Sequence, residues 1–254
     1  LIDLAWSLSK ENAKVTEELA QIRSPKSRLA FAKFLASKGK GADAIEQFNK
    51  IGGVPPDIRK ELVVQLLATN NYNEAFALWS AGEEYVPPST PAIYDGGFEG
   101  SLKLEEKAFG WRVLTGTRDV TLSLDPNQPH SGAQSLRIEF SGESDPASPV
   151  VSQLVLVEPA RTYRVNLVAR TQEIVTGGPP IAAVIDAGRE RKLLGKSGTF
   201  AKGTSDWTTY SFDFTTLPDT KAVFVGVQRE GCSSGPCPAF GSIVIDSFSI
   251  QPVK

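Results

Sequence analysis

The hydrophobic period of the chain changes at a proline-rich segment, and this change constrains the fold more than any other feature. Residues 86–91 read VPPSTP, with three prolines in six positions. Proline removes a backbone donor and restricts the residue before it, so such a run ends a helix and favours an extended linker. We therefore predict two domains, at residues 1–85 and 92–254, joined by a linker at 86–91.

Apolar residues before the linker recur at helical spacing and in a repeated pattern. Three of them are followed 31 residues later by the same or a similar residue, in the pairs Leu35 and Leu66, Ala44 and Ala75, and Phe48 and Trp79. A helix–turn–helix unit that recurs at a fixed interval predicts a helical repeat array. The pattern resembles tetratricopeptide-type repeats, which offer a face to peptides and proteins. We expect this half to bind a protein partner or to act as a tether.

Residues beyond the linker alternate between apolar and polar, which is the period of a half-buried strand. The clearest segments are SLRIEF, TYRVNLVAR, TTYSFDF and AVFVGVQ, with Gly, Pro and Asp turns between such segments. Short alternating strands without long helical segments between them predict an antiparallel β-sandwich or jelly roll. The expected fold class is therefore α+β multidomain, with helical hairpins followed by a sandwich.

Charge and hydropathy exclude two classes of partner. The formal net charge is −2, and basic and acidic residues are interspersed without a basic stripe, so we do not expect nucleic acid to bind. No apolar run reaches the roughly 20 residues of a membrane helix, so no membrane span is expected in this chain. The chain begins at Leu1 without a recognisable signal peptide, and we interpret it as a fragment or a processed form.

The two cysteines, Cys232 and Cys237, are separated by four residues in CSSGPC. We expect a local disulfide, which would contribute about 2 kcal/mol by loop-closure reasoning and would place the protein outside the reducing cytosol. A redox pair or half of a metal site are the alternatives. Metal is the weaker of these, because there is no other cysteine and His130 is the only histidine.

Six motifs in order carry a resemblance to a known family. They are DGGFEG, FGWRV, HSGAQSLRIEF, YRVNLVART, SDWTTYSFDFT and GSIVIDSFSI, and they span nearly all of residues 92–251. In this order they resemble the jelly-roll carbohydrate-binding modules that accompany bacterial glycoside hydrolases, within the galactose-binding-like group. The resemblance implies the fold more strongly than the function, because this fold hosts many activities.

The resemblance also implies a structural calcium ion. In the family, the first strand supplies a backbone carbonyl and a Glu, and the Asp of the last strand completes the site. Carried over by position, the ligands are the carbonyls of Gly97 and Ala133 and the carboxylates of Glu99 and Asp246. Calcium takes six to eight hard oxygen ligands of these kinds. Alternatively, Gly96 and Gly97 form a strand-entry turn, and the two carboxylates pair with Arg or with backbone amides.

The last strand changes phase near its middle. Ile243 and Ile245 occupy one phase, whereas Phe248 and Ile250 occupy the other. A bulge at Asp246 and Ser247 would bring both pairs to the same face, because a bulge re-aims the side chains that follow it.

A sugar-binding surface needs an aromatic ring for the apolar face of the sugar and polar side chains for its hydroxyls. Residues that could supply these are Trp111, Arg112, Gln153, Asn166, Arg170 and Gln228. Trp111 is either a platform or a core residue, and Trp207 is expected in the core. Phe224 is the main aromatic residue of the outward phase.

Taken together, these features predict a non-catalytic, extracytoplasmic bacterial binding protein, with no cofactor other than calcium. Its jelly roll would recognise a polysaccharide or cell-surface glycan. A structural or assembly protein, whose jelly roll mediates protein–protein contacts, is the alternative. A glycoside hydrolase fragment is a third hypothesis, but no pair of carboxylates stands in a catalytic motif and no GxSxG elbow is present.

Overall fold

The computed structural model describes residues 1–82, 90–103, 106–113, 118–188 and 190–253. Its internal contacts divide the chain into two compact units, Leu1–Val86 and Pro87–Lys254. Residues 86–89 of the predicted linker lie outside the described ranges, so the limits of the linker stay a prediction.

Within the described ranges the first unit consists of six helices: α1 (Ile2–Leu8), α2 (Ala13–Leu19), α3 (Pro25–Ser37), α4 (Gly41–Asn49), α5 (Pro56–Ala68) and α6 (Tyr72–Ser80). Helix α3 begins at a capping box formed by Ser24 and Ser27, with Pro25 in its first turn. The turns that follow α3 and α5 contain Gly39 and Asn70, both with positive φ. None of the helices in the described ranges is long and apolar enough to cross a membrane.

The helices pack as hairpins. Helix α3 packs on α4, α5 packs on α6, and α3 also contacts α5. All residues of the predicted 31-residue pattern are buried, namely Leu35, Leu66, Ala44, Ala75, Phe48 and Trp79. This burial explains why the positions are apolar, whereas the assignment to tetratricopeptide-type repeats stays a prediction.

The second unit is a sandwich of two antiparallel sheets, which confirms the predicted β-sandwich. Its strands within the described ranges are β1 (Arg112–Val113), β2 (Val120–Asp125), β3 (Ser135–Glu143), β4 (Val151–Leu156), β5 (Thr162–Thr176), β6 (Pro180–Asp186), β7 (Leu193–Lys196), β8 (Gly203–Thr215), β9 (Ala222–Arg229) and β10 (Pro238–Pro252). The first sheet has the order β1-β4-β9-β6-β7, and the second has the order β2-β3-β10-β5-β8.

The core of the sandwich lies between the sheets and is filled by alternate residues of each strand. From the first sheet it takes branched side chains such as Val151, Val155, Val223, Val225 and Val184, and from the second such residues as Leu136, Ile138, Val165, Leu167, Ile243 and Ile245. Successive side chains of a strand point to opposite faces, so the residues between these positions form the outer faces of the sandwich.

A bulge in β10 confirms the predicted change of phase. The register between β10 and β5 shifts between Asp246 and Ser249, and Ser247 has a φ of 56°. As a result, Ile245 before the bulge and Phe248 after it both belong to the core. The bulge therefore keeps the apolar side chains inside although the sequence alternation is broken.

The predicted disulfide joins Cys232 to Cys237, with a Cα–Cα distance of 5.5 Å. Arg229 is buried beside it and donates hydrogen bonds to the Gly178 carbonyl at 3.2 Å, to Ser144 Oγ at 3.0 Å and to the Cys237 carbonyl. Burial lowers the pKa of Arg229. The disulfide and this guanidinium together fasten three loops at one end of the sandwich.

We expect the double substitution Cys232→Ser and Cys237→Ser to lower the free energy of unfolding by about 2 kcal/mol, because an open loop gives the unfolded chain more freedom. Urea denaturation of the full chain measures the effect. Ser233→Ala, in the same exposed loop, is the control and should change the free energy by less than about 0.5 kcal/mol. An unchanged urea midpoint in the double variant would contradict the expectation.

Candidate functional site

The outer face of the first sheet carries a row of small residues that crosses its central strands. Ser152 on β4 lies opposite Gly226 on β9, and Gly226 lies opposite Ala183 on β6. The row ends at Arg112 on β1, opposite Ser152, and at Lys196 on β7, opposite Ala183. All five point away from the core, because their neighbours along each strand are core or core-packed residues or face the opposite sheet.

Larger side chains stand on both sides of this row. On one side, Leu154, Phe224 and Ile185 are aligned across the same three strands. On the other side, Gln228 is aligned with Ile181. The small row is therefore the floor of a trough across the strands, which we call the β9 trough. At about 4.8 Å between neighbouring strands, it is roughly 19 Å long from β1 to β7.

Gly226 keeps the floor of the β9 trough low. A Cβ atom at this position would lie 2.1 Å from the Val151 carbonyl oxygen and 2.7 Å from Ser152 Cα. Both are backbone atoms of the neighbouring strand, so any side chain at this position would push the strands apart.

The ring of Phe224 forms one wall and is contacted by two guanidinium groups. Arg112 Cζ lies 4.9 Å from the ring centroid, and Arg191 Cζ lies 4.6 Å from it. Arg112 also donates through Nη2 to the Lys107 carbonyl at 2.6 Å and to the Ala108 carbonyl at 2.9 Å. Phe224 and Arg112 are partly buried, whereas Arg191 is exposed.

Gln228 forms the other wall and carries an unused acceptor. Its Oε1 atom is buried and has no hydrogen-bond partner among the residues that the structure describes. The side chain as a whole is partly exposed. An unsatisfied carbonyl oxygen is costly to bury, so it favours a ligand that donates a hydrogen bond to it.

Gln153 does not belong to the β9 trough, which corrects the sequence-based assignment. It is 1% exposed and points into the sandwich, whereas its neighbour Ser152 points outward. Its amide pairs with the backbone of Tyr94, accepting from Tyr94 N at 2.7 Å and donating to Tyr94 O at 2.8 Å. Gln153 therefore holds the backbone at Tyr94, near the start of the second unit, against β4.

Trp111 is a core residue and cannot serve as a sugar platform. It is 5% exposed, and its ring stacks on Phe98 at 4.8 Å and packs against Phe248 at 5.4 Å. Its indole N–H donates to the Asp95 carbonyl at 2.8 Å. The apolar ring is therefore packed against other rings, and the polar N–H has a hydrogen-bond acceptor inside the protein.

Asn166 and Arg170 lie on the outer face of the second sheet, opposite the β9 trough. Sheets pack about 10 Å apart, so these residues and Gln228 cannot contact the same sugar unit. Arg170 donates to the Asn127 carbonyl at 2.8 Å and lies over the Trp207 ring at 5.3 Å.

Trp207 is on this surface rather than in the core, which corrects another expectation. The residue is partly exposed, and its ring packs against His130 in a T-shaped arrangement. Its Nε1–H donates a hydrogen bond to the Gln128 carbonyl at 3.3 Å. The loop between β2 and β3 therefore folds across the second sheet and is held by Trp207 and Arg170.

The same loop is anchored by Asp125. Its carboxylate accepts from Asn127 N at 2.8 Å and lies 3.7 Å from Arg170 and 3.9 Å from Arg137. Burial alone would raise the pKa of Asp125, but the hydrogen bonds from Asn127 and the two guanidinium groups lower it below its ordinary value. Asp125, Arg137 and Arg170 are therefore charged partners in one network that holds this loop in place.

The predicted calcium residues converge at the segment YDGGFEG. A Cβ atom on Gly97 would lie 3.7 Å from Asp246 Oδ1 and 4.0 Å from Glu99 Oε1. Glu99 accepts from Ala133 N at 3.1 Å through both oxygens, and fully buried Asp246 accepts from Ser131 N at 3.0 Å. Ala133 thus presents its amide to Glu99.

The donor chemistry at this place is compatible with calcium, because two carboxylates without a described cationic partner face one glycine. Among the described residues there is no group of three or more His, Cys, Asp or Glu side chains that could hold a metal ion. Calcium would therefore need backbone oxygens or water as further ligands. Nearby Asp95 accepts from two backbone amides, and burial raises its pKa.

The second unit is thus a two-sheet β-sandwich with a trough across one outer face. The chain belongs to the carbohydrate-binding domain family, since the model of that family matches residues 90–233, which is more than half of the chain. Membership of this family supports glycan binding. No curated protein matches the chain in sequence.

Several solved structures are similar to the chain. The xylan-binding CBM22-1 domain of Paenibacillus barcinonensis Xyn10C is 14% identical, with a TM-score of 0.43, covering 64% of this chain and 95% of that domain. A CBM4 structure is also 14% identical, with a TM-score of 0.45, covering 63% and 99%. TmCBM61 in complex with β-1,4-galactotriose is 18% identical, with a TM-score of 0.38, covering 65% and 97%. The family match, and not these similarities, carries the assignment.

Sequence reasoning found part of the β9 trough. It named Arg112 and Gln228 and noticed Phe224, all of which line the trough. It missed Arg191, which lies in a loop where no periodicity assigns a direction. It also missed Gly226, whose role depends on how closely β4 approaches.

We expect Trp111→Ala to lower the free energy of unfolding by about 3–5 kcal/mol, because it removes a large buried side chain. Trp207→Ala should cost only about 1 kcal/mol, mainly through the lost contact with Arg170. Urea denaturation followed by far-ultraviolet circular dichroism measures both. Equal losses in the two variants would contradict the different burial of the two rings.

Proposed function

We propose that the second unit binds a polysaccharide or cell-surface glycan in the β9 trough. The observation that carries the proposal is the row Ser152–Gly226–Ala183, which lies between an aromatic wall and an amide wall. The length of this trough suits an extended chain that lies across the strands. Family membership supports a carbohydrate as that chain.

Each part of the trough has a chemical role in this proposal. Phe224 offers the part of its ring that Arg112 and Arg191 leave uncovered to the C–H groups of a sugar ring. Gln228 Oε1 accepts a hydrogen bond from a sugar hydroxyl, and the Arg112 guanidinium and the Ser152 hydroxyl donate to ring or hydroxyl oxygens. Because the floor is formed by paired strands, little side-chain order has to be gained on binding, which favours affinity.

We further propose that the protein acts without catalysis and outside the cytoplasm. The Cys232–Cys237 disulfide supports the location, because such bonds persist in oxidising compartments. The helical unit would serve as a tether or bind a protein partner. Its exposed apolar residues Leu4, Leu8 and Leu19 support such a contact.

We also propose a structural calcium ion held by Glu99, Asp246 and the carbonyl of Gly97. The convergence of the two carboxylates at Gly97 supports it. The ion would supply positive charge between these carboxylates and join the first motif of the sandwich to β10.

We expect Phe224→Ala and Gln228→Ala to weaken glycan binding by at least about tenfold each, since each removes one wall contact worth about 1.4 kcal/mol or more. A glycan array with the full chain selects the ligand, and isothermal titration calorimetry measures the affinity of each variant. Asn166→Ala, on the opposite outer face, is the matched control and should bind normally. Loss of binding in the Asn166 variant, with normal binding in the other two, would place the site on the wrong face.

For calcium, we expect the melting temperature of the full chain to fall when EGTA is added and to recover with excess calcium, because a ligand bound only by the folded state stabilises it. Glu99→Gln should remove most of this response, whereas Asp213→Asn, on an exposed strand, should keep it. A melting temperature that is the same in EGTA and in calcium would refute the proposed ion.

A further inference from the structure

We infer that the glycan bound in the β9 trough is acidic and carries hexuronate units whose carboxylates are read by Arg191 and Arg112. The inference rests on the proposed function and narrows it from glycans in general to one chemical class. Its basis is the placement of two cationic groups on the one aromatic ring of the trough.

The two guanidinium groups reach Phe224 from different parts of the fold. Arg112 comes from β1 at one edge of the first sheet, and Arg191 comes from the loop between β6 and β7 near the other edge. Both lie within 5 Å of the ring centroid. Two positive charges are thus gathered around one sugar-sized apolar surface, where each contact with the ring contributes only about 0.5–1 kcal/mol.

Arg191 has no charge partner among the residues that the structure describes. Its guanidinium is exposed and makes no hydrogen bond or ion pair with any residue in the described ranges. Two carboxylates on the strands of this sheet or next to them are engaged elsewhere. Glu230 pairs with Lys196 at 2.5 Å, and Asp186 accepts from Gly188 N and from the Thr220 hydroxyl. The charge of Arg191 is therefore exposed to a ligand at this wall.

A hexuronate matches these groups better than a neutral sugar does. Its ring offers C–H groups to Phe224, and its carboxylate accepts two parallel hydrogen bonds from a guanidinium, which is the strongest geometry open to arginine. A neutral glycan would contact Phe224 and Gln228 but would offer no negative group to the Arg191 guanidinium. The simpler explanation, in which both arginines only cover Phe224, predicts no preference for charged glycans.

The experiment compares acidic polymers with neutral polymers of the same backbone. Polygalacturonate, alginate and glucuronoxylan are each paired with their carboxyl-reduced forms, and binding to the full chain is measured by affinity electrophoresis and calorimetry. We expect at least one acidic polymer to bind tenfold or more tightly than its reduced form. This preference should shrink as sodium chloride is raised, because exposed charges are screened.

Arg191→Gln supplies the residue-level test, with Arg164→Gln as the control. Arg164 is an exposed arginine on the outer face of the second sheet, paired with Asp213 at 2.7 Å. We expect Arg191→Gln to abolish the preference, so that the acidic and the reduced polymer bind this variant with similar affinity, and Arg164→Gln to keep the tenfold preference.

Two negative results have different meanings. Equal binding of acidic and reduced polymers, or an Arg191→Gln variant that keeps the acidic preference, would overturn this inference and leave the proposed glycan binding in place. Failure of the full chain to bind any polymer here and any member of the glycan array would overturn the proposed function itself.

Discussion

The register of β9 between β4 and β6 is the constraint on which the second unit depends. Val225 and its alternate neighbours fill the core, and Phe224, Gly226 and Gln228 consequently point outward. A slip by one residue would exchange the two sets, burying Gln228 and exposing the valines. The same hydrogen-bond ladder therefore holds the sandwich together and builds the trough.

Much of this architecture could be predicted from the sequence, because the period of the apolar residues reports directly on helix and strand. The change of period at the prolines separated the two halves, and the phase change around Asp246 predicted the bulge in β10. In both cases the pattern involves residues that are close together in the sequence, and backbone geometry links such residues directly to helix or strand.

The errors arose where a residue's direction depends on contacts that are distant in sequence. Gln153 belongs to a nearly continuous apolar strand, so alternation gave no phase, and its inward direction is fixed by the backbone of Tyr94. Trp207 lies on the outer face of the second sheet, where the loop between β2 and β3 supplies the Gln128 carbonyl as the acceptor for its indole N–H. The six candidate residues were consequently grouped together, although two of them are buried and the other four lie on two opposite faces.

Gly226 gives the trough a fixed depth. A Cβ atom there would collide with the backbone of β4, so no side chain can be added at the centre of the floor without moving the strands. The walls and the loop that carries Arg191 differ in this respect, because a changed side chain there does not bring a Cβ atom against a neighbouring backbone. The sandwich thus combines a rigid backbone layer at Gly226 with a rim that engineering could redesign residue by residue.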